Sequence, residues 1–174
     1  MSETNKYLHL TLPHIHGNVI DIASGGWPVV PHAIQIELPQ AEFAHYNSGR
    51  IPSVPIQWQG HATDLPFKDG VVGCVYSSHL LEDFLDWEPV LKEWVRVLKL
   101  GGTLIILVPD KVLWNEAIRN GQPPNCAHRH EAHVGELSTY AERLGLTVIE
   151  DRLTACFPGD YSILFVATKK GVAP

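Results

Sequence analysis

The sequence predicts a doubly wound α/β fold, because short apolar runs rich in β-branched residues alternate with helical segments. Continuous apolar runs of this length are typical of parallel strands that are buried on both faces. Seven such runs are present: Val19–Ala23, Ala33–Leu38, Pro55–Gln59, Val71–Ser77, Thr103–Val108, Leu146–Glu150 and Tyr161–Lys169. With 174 residues the chain can bury a sizeable core, so we expect a single domain over residues 1–174.

Two segments have the pattern of amphipathic helices. In the first, Asp86 is a good N-cap and Gly101-Gly102 supplies a stop after the apolar stripe. The residues of that stripe recur at helical spacing: Trp87, Val90, Leu91, Trp94, Val95 and Leu98. The second segment runs from about Val134 to Arg143, and Gly145 ends it.

The composition argues against several classes of protein. The formal net charge is −6 and no large Lys/Arg cluster stands out, so nucleic acid is not an expected partner. The three cysteines are widely spaced and odd in number, which favours a reducing compartment over a disulfide framework. No apolar run is long enough for a signal peptide or a membrane span. We therefore expect a cytoplasmic protein that does not bind a membrane.

The link between the first two strands is too short for a regular crossover helix. Asp21 and Glu37 are only 16 positions apart, whereas a parallel crossover normally takes at least ten to twelve residues beyond the strands themselves. Pro28 and Pro31 lie within this link and oppose helix formation. The sequence therefore predicts that the first helix of the sheet is shortened or absent.

Three consecutive motifs resemble one enzyme family. They are ATDLPFKDGVVGCVYSSHLLEDF from Ala62, RVLKLGG from Arg96 and TLIILVPD from Thr103. Together they resemble the class I S-adenosylmethionine (SAM) dependent methyltransferases of the type 11-like group. The stretch DIASGGWPVVPHAIQIEL from Asp21 resembles a branch with a short first loop. The resemblance implies a Rossmann-like, mostly parallel seven-stranded sheet with an antiparallel last strand. It also implies SAM as cofactor and a small-molecule or sugar-type acceptor.

The resemblance suggests where SAM would bind. Glycines let a backbone approach a ligand closely, and an acid at the end of the second strand can accept hydrogen bonds from ribose hydroxyls. The expected cofactor residues are Asp21, Ala23, Ser24, Gly25, Gly26, Glu37, His61, Ala62, Ser77 and Ser78. Asp21 would orient the loop or reach the SAM ammonium. Relatives often have an acid where this chain has His61, so His61 and the backbone of Ala62 would replace the contact to the adenine amine.

Histidines are the candidates for the chemistry on the acceptor side. His79 follows the fourth strand, and could contact the sulfonium side or the substrate, or hold the turn locally. His130 lies in the dense segment from His128 to His133 and could act as a general base, because the pKa of histidine is close to neutral. That segment could alternatively bind a metal or form a solvated helix entrance. Trp114 and the loop 120–125 are further acceptor-side candidates.

Three functions fit these observations. The first is an active SAM-dependent methyltransferase that acts on a small-molecule or sugar-type acceptor. The second is a catalytically degenerate SAM-binding domain that serves as a regulatory or interaction module, which the missing helix and His61 favour. The third is a different SAM-consuming or metal-dependent enzyme that uses the histidine-rich segment. No metal ligand is assigned, because a site needs three or four converging ligands and the sequence does not establish them.

Overall fold

The computed structural model describes residues 3–39 and 56–171, which form one seven-stranded sheet. The strands, in chain order, are β1 Val19–Ile22, β2 Ile34–Glu37, β3 Trp58–Gln59, β4 Val72–Ser78, β5 Leu98–Pro109, β6 Leu146–Leu153 and β7 Ser162–Lys169. Their order in the sheet is β3-β2-β1-β4-β5-β7-β6. Each coincides with one of the seven predicted apolar runs. The start of the run Pro55–Gln59 lies outside the described residues.

The sheet is parallel except for its last strand. β1 pairs in parallel with β2 on one side and with β4 on the other, so the strand order reverses between β1 and β4. β7 is inserted between β5 and β6 and runs antiparallel to both. The predicted Rossmann-like α/β fold with an antiparallel last strand is therefore confirmed. In such sheets, ligands bind outside the carboxyl ends of the strands at the point of reversal.

Four helices surround the sheet in the described part of the chain: α1 Glu3–Thr11, α2 Trp87–Val97, α3 Lys111–Arg119 and α4 Glu136–Arg143. The structure confirms the two predicted helices. The Asp86 carboxylate caps α2 by accepting a hydrogen bond from the Glu88 amide, and α4 begins two residues later than expected. The other two helices were not predicted. None of them in the described chain is long and apolar enough to cross a membrane.

The link from β1 to β2 contains no helix, as its prolines predict. Val29, Val30 and Ala33 of this link are buried instead, and they pack on the sheet beside Tyr76 of β4 and Tyr7 of α1. Apolar side chains of the link thus cover the sheet where a crossover helix would otherwise do so. The short link keeps the ends of β1 and β2 close together.

Helix α2 anchors the opposite face of the sheet. The side chains of Trp87 and Trp94 are fully buried, and they pack with Leu91 against the strands. The Trp94 indole Nε1 donates a 2.9 Å hydrogen bond to the Ala62 carbonyl oxygen, so the buried ring also fixes the loop after β3. A buried indole generally needs such a partner. Helix α2 therefore positions a loop at the carboxyl edge of the sheet.

We predict that Gly73→Ala destabilises the fold. A Cβ on Gly73 would lie 2.7 Å from the His16 carbonyl oxygen and 3.1 Å from the Asn18 amide nitrogen, and both neighbours are backbone atoms that cannot turn aside. We expect overpacking to lower the free energy of unfolding by about 1–3 kcal/mol, measured by denaturant titration. Gly171→Ala is the control, because a Cβ there meets nothing within 4 Å. Equal stability of both variants would contradict the prediction.

Candidate functional site

A cavity of about 410 Å³ opens at the carboxyl ends of β1, β2 and β4. It lies where the strand order reverses, at the expected position for a ligand in an open α/β sheet. Fifteen residues line it: Ile22, Ala23, Gly25, Ile36, Glu37, Leu38, Gly60, His61, Ala62, Thr63, His79, Leu80, Asp83, Phe84 and Asn125. Six of the twelve predicted site residues are among them: Ala23, Gly25, Glu37, His61, Ala62 and His79.

The loop after β1 turns back sharply beside this cavity. Ala23, Gly25 and Gly26 all have left-handed backbone, with φ of 63°, 63° and 83°. Glycine adopts this conformation freely, whereas alanine is strained there. The Ala23 amide donates a 2.9 Å hydrogen bond to the Ile36 carbonyl oxygen, which ties the loop to β2. The backbone of the loop therefore forms part of the cavity wall.

Glu37 holds this loop from the end of β2. Its Oε1 accepts hydrogen bonds from the Gly25 amide at 2.5 Å and from Ser24 Oγ at 3.1 Å. Burial raises the pKa of Glu37 to about 6, against the lowering effect of these two hydrogen bonds. Oε2 receives no hydrogen bond from the described residues, so it can accept one from a ligand in the cavity. One carboxylate can thus serve both the loop and a ligand.

Asp21 orients the same loop from beneath and does not line the cavity. Its Oδ2 accepts a 2.6 Å hydrogen bond from the Val29 amide, while its buried Oδ1 has no partner within the described chain. The pKa of Asp21 is raised to about 8, because burial and, to a smaller extent, the charge of Glu37 outweigh the lowering effect of the Val29 hydrogen bond. Asp21 was expected either to orient the loop or to reach the SAM ammonium, and in the structure it contacts the loop.

The remaining predicted cofactor residues differ in their access to the cavity. His61 and Ala62 line it, with the Ala62 carbonyl engaged by Trp94. Ser77 is buried behind it and donates a 3.2 Å hydrogen bond to the Ile22 carbonyl oxygen, which joins the ends of β4 and β1. The hydroxyl of Ser78 is buried too. Ser24, Gly26, Ser77 and Ser78 therefore support the cavity from outside its lining.

His79 lines the cavity in a strained left-handed conformation, with φ of 55°. Its Nε2 lies 3.1 Å from Ser162 Oγ, and its Nδ1 lies 3.5 Å from Glu82 Oε1. Its ring meets Tyr161 edge to face at 6.0 Å between centroids. Both ring nitrogens of His79 therefore face polar protein atoms. Strained residues such as His79 and Ala23 often cluster at functional sites.

His130 lies beside the site without lining it. Its Nε2 is 2.6 Å from Glu136 Oε1, its Nδ1 is 3.5 Å from the Leu85 carbonyl oxygen, and its ring packs on Trp87 at 4.1 Å between centroids. These contacts tie the segment after β5 to helices α2 and α4. No group of three or more His, Cys, Asp or Glu side chains in residues 3–39 and 56–171 is arranged to hold a metal ion.

Sequence reasoning missed an acidic pair at the turn after β4. Asp83 lines the cavity. Its pKa is raised to about 7, because burial and the charge of Glu82 outweigh the lowering effects of His79 and Arg129. Glu82 is completely buried and lies within 3.6 Å of an imidazole nitrogen of His128. Two adjacent acids directly after a strand end were the signal in the sequence, because that edge of a sheet holds ligands.

Part of the chain is similar to known proteins. Residues 31–106 match the methyltransferase domain family. The "probable S-adenosylmethionine-dependent methyltransferase" of Mycolicibacterium smegmatis is 29% identical over 125 residues, which cover 72% of this chain and 47% of that protein. Over these residues the chain is similar to SAM-dependent methyltransferases. The demethylmenaquinone methyltransferase of Mycolicibacterium gilvum is 31% identical over 106 residues, or 61% of this chain and 42% of that protein.

Solved structures agree on the fold. A SAM-dependent methyltransferase of Thermotoga maritima superposes with a TM-score of 0.69 at 21% identity, covering 96% of this chain and 89% of that one. One from Mesorhizobium loti gives a TM-score of 0.68 at 14% identity, with 93% and 95% covered. By contrast, the chain spans less than half the length of the two mycobacterial relatives.

The cavity fits SAM, the cofactor of this methyltransferase family. Its volume lies within the range of about 300–1,000 Å³ that is usual for small-molecule sites. Ile22, Ile36 and Leu38 give it apolar walls, and the available Glu37 Oε2 lies at the end of β2, where an acid can bind ribose hydroxyls. The volume, the apolar walls and this acceptor oxygen are compatible with an adenosyl group.

We predict that the free energy of unfolding decreases less steeply with rising pH in Asp21→Asn than in the unchanged protein. The unfolded carboxyl loses its proton near 3.8 and the folded one near 8, so the unfolded chain binds fewer protons between these values. Asp21 therefore makes the free energy of unfolding decrease from about pH 4 to pH 8. Denaturant titrations across this range should show a flatter profile for the variant. The slope that remains belongs partly to Glu37 and Asp83, whose pKa values are also raised.

The exposed Asp64 supplies the control for this experiment. We expect Asp64→Asn to keep the slope of the unchanged protein. A slope as steep in Asp21→Asn as in Asp64→Asn would show that Asp21 does not carry its proton to neutral pH in the folded chain.

Proposed function

We propose that this chain binds SAM in the cavity and transfers the methyl group to a small-molecule or sugar-type acceptor, acting as one domain over residues 1–174. The observation that carries the proposal is the pairing of Glu37 with the left-handed loop after β1. Glu37 Oε1 holds the loop through Gly25, and Oε2 remains available on the cavity side. This arrangement suits a ligand whose ribose hydroxyls reach Glu37 Oε2 while another part of the same ligand passes close to the backbone of the loop.

In this proposal the cofactor residues have distinct roles. The backbone of Ala23 and Gly25 lies against the cofactor, with Ser24 and Gly26 completing the turn. Asp21 fixes the loop through the Val29 amide. His61 and Ala62 form the adenine side, while Ser77 and Ser78 keep the ends of the central strands in place.

The acceptor would bind beside the turn after β4 and the loop after β5. Asp83, Phe84 and Asn125 lie on that side of the cavity, and the turn and the loop both follow the carboxyl ends of central strands. SAM supplies an electrophilic methyl group, so the protein has to orient the acceptor, exclude water and receive a proton. We also propose a cytoplasmic location, consistent with the three cysteines, which are unpaired.

A specific observation favours a second candidate, a SAM-binding module without turnover. The ring nitrogens of both histidines considered for catalysis, His79 and His130, lie beside protein polar atoms. A module of this kind would bind SAM and would release no S-adenosylhomocysteine with any acceptor. The two candidates share the cofactor site and differ only in the chemistry beside it.

Calorimetric titration with SAM and with S-adenosylhomocysteine tests the binding site. We expect the unchanged chain to bind both, and Glu37→Gln to bind at least about tenfold more weakly, because hydrogen bonds to a charged group contribute about 1.5–3 kcal/mol. Gln59→Ala is the control, since Gln59 pairs with Glu37 across the sheet and is exposed. Absence of binding by the unchanged chain would refute both candidate functions.

Turnover is tested by S-adenosylhomocysteine release with a panel of hydroxyl, amine and sugar acceptors. Release that depends on one acceptor supports the enzyme, and its chemical class identifies the substrate. Binding of SAM without release across the whole panel supports the module.

A further inference from the structure

The Asp83 carboxylate is a polar group of the cavity that the cofactor contacts described above leave unused. Glu37 and Asp83 are the two acids among the fifteen lining residues, and no lysine or arginine is among them. The Glu37 carboxylate already holds the loop after β1 through its Oε1. Asp83 belongs to the turn Leu81–Asp83 after β4 and takes no part in holding that loop. The cavity therefore has a second carboxylate.

No group of the described chain is a partner of this carboxylate. The Asp83 side chain accepts no hydrogen bond and forms no ion pair with residues 3–39 or 56–171, and its Oδ1 is buried. The turn does not require the side chain, because backbone hydrogen bonds from Asp83 to Leu80 at 3.0 Å and from Phe84 to Leu81 at 3.1 Å close it. A partly buried carboxylate without a donor is unfavourable, and a ligand in the cavity can supply one.

The charges around Asp83 favour a ligand that brings a donor or a positive charge. The pKa of Asp83 is raised to about 7, because burial and the charge of Glu82 outweigh the lowering effects of His79 and Arg129. Glu82 is 0% exposed, and neither of its oxygens accepts a hydrogen bond from the described chain. Imidazole nitrogens of His79 and His128 lie 3.5 and 3.6 Å from Glu82 Oε1. A donor from a ligand would stabilise the ionised Asp83 carboxylate that burial disfavours.

The other side chains at this end of the cavity are engaged or apolar. Asn125 Oδ1 already accepts a 3.0 Å hydrogen bond from the backbone amide two residues later. Both ring nitrogens of His79 face polar atoms of the protein. Leu80 and Phe84, which line the cavity beside the same turn, have apolar side chains. Asp83 is therefore the group at this end that is best able to accept a hydrogen bond from a ligand.

We propose that Asp83 forms an amine subsite, in which its carboxylate binds an amino group of a ligand held in the cavity. The proposal rests on the proposed function, because the ligand is SAM or the acceptor that SAM methylates. SAM carries two amino groups, one on adenine and one on its methionine part, and an amine acceptor carries a third. All three donate N–H hydrogen bonds. An anionic acceptor would be repelled, since the lining has two carboxylates and neither lysine nor arginine.

Calorimetric titration of the full chain at pH 8, where the Asp83 carboxylate is mostly ionised, identifies an amino group that the cofactor supplies. The probes are S-adenosylhomocysteine, S-inosylhomocysteine, which lacks the adenine amino group, and methylthioadenosine, which lacks the methionine amino group. If adenine supplies the group, Asp83→Ala should weaken binding of S-adenosylhomocysteine and methylthioadenosine about tenfold or more, and leave that of S-inosylhomocysteine unchanged. If methionine supplies it, methylthioadenosine should be the unaffected probe. Asp64→Ala removes an exposed acid outside the lining and should bind all three as the unchanged chain does.

An acceptor that supplies the amino group leaves all three affinities unchanged in Asp83→Ala. Release of S-adenosylhomocysteine from SAM is then measured with sets of amine, alcohol and carboxylic acid acceptors, each set sharing one carbon skeleton. We expect release with an amine and none with the matching acid. Asp83→Ala should raise KM for the amine about tenfold or more, with a much smaller change in kcat. Unchanged affinities together with an unchanged KM, or with no release from any amine, would overturn the amine subsite.

Stability measurements separate this binding role from a structural one. The unfolded Asp83 carboxyl loses its proton near 3.8 and the folded one near 7, so its ionisation lowers the free energy of unfolding as the pH rises between these values. Asp83→Ala removes this effect and leaves the backbone hydrogen bonds of the turn in place. Denaturant titration at pH 8 should therefore find the variant at least as stable as the unchanged chain. Weaker binding by such a variant reports the lost contact.

The same titrations distinguish failure of this inference from failure of the proposed function. Absence of S-adenosylhomocysteine binding by the unchanged chain would refute both. Binding by the unchanged chain, with no effect of Asp83→Ala on any probe or on an amine acceptor, would refute the amine subsite and leave the proposed function standing.

Discussion

The short link between β1 and β2 is the constraint on which the site depends. Without a helix, the chain has to reverse within a few residues and still present its backbone to the cavity. Two buried carboxylates make this possible, Asp21 through the Val29 amide and Glu37 through the Gly25 amide. Both acids have raised pKa values because burial disfavours their charge. The loop is therefore held by groups that are costly to bury, and Glu37 is also the one best placed to meet a ligand.

Much of this architecture is predictable from the sequence because its physical causes are local. Helix α2 has Asp86 as its cap and a full apolar stripe, and the seven strands are strongly apolar. The prolines at 28 and 31 exclude a helix by their own geometry. Helix α1 carries no such pattern, and α3 has a cap, Asp110, but no buried apolar stripe. Helix α3 buries none of its residues, and Tyr7 is the only large apolar side chain that α1 buries fully. Periodicity alone cannot reveal helices of this kind.

The site likewise contains residues that the sequence predicts and contacts that it does not. Ala23, Gly25, Glu37, His61, Ala62 and His79 can be placed at the cavity from motif and strand order alone. The partners of each imidazole depend on tertiary contacts instead. Glu136 engages His130 from α4, Ser162 engages His79 from β7, and Glu82 faces His128 across two loops. A run of histidines therefore does not disclose the partner of each ring, such as Glu82 for His128 and Glu136 for His130. Only the folded arrangement separates His128 from His130.

Tyr7 gives the first helix of the chain a connection to this chemistry. Its hydroxyl stands between Asp160 and Ser162, and through Ser162 it determines which hydrogen bond His79 can make. A chain that lacked this helix would leave the serine hydroxyl free to rotate, and the imidazole could then exchange its proton between nitrogens. Helix α1 is thus connected by hydrogen bonds to a residue that lines the cavity, although Tyr7 itself does not line it. Because Tyr7 also packs with the link between β1 and β2, variation there would reach the cavity through packing as well as through hydrogen bonds.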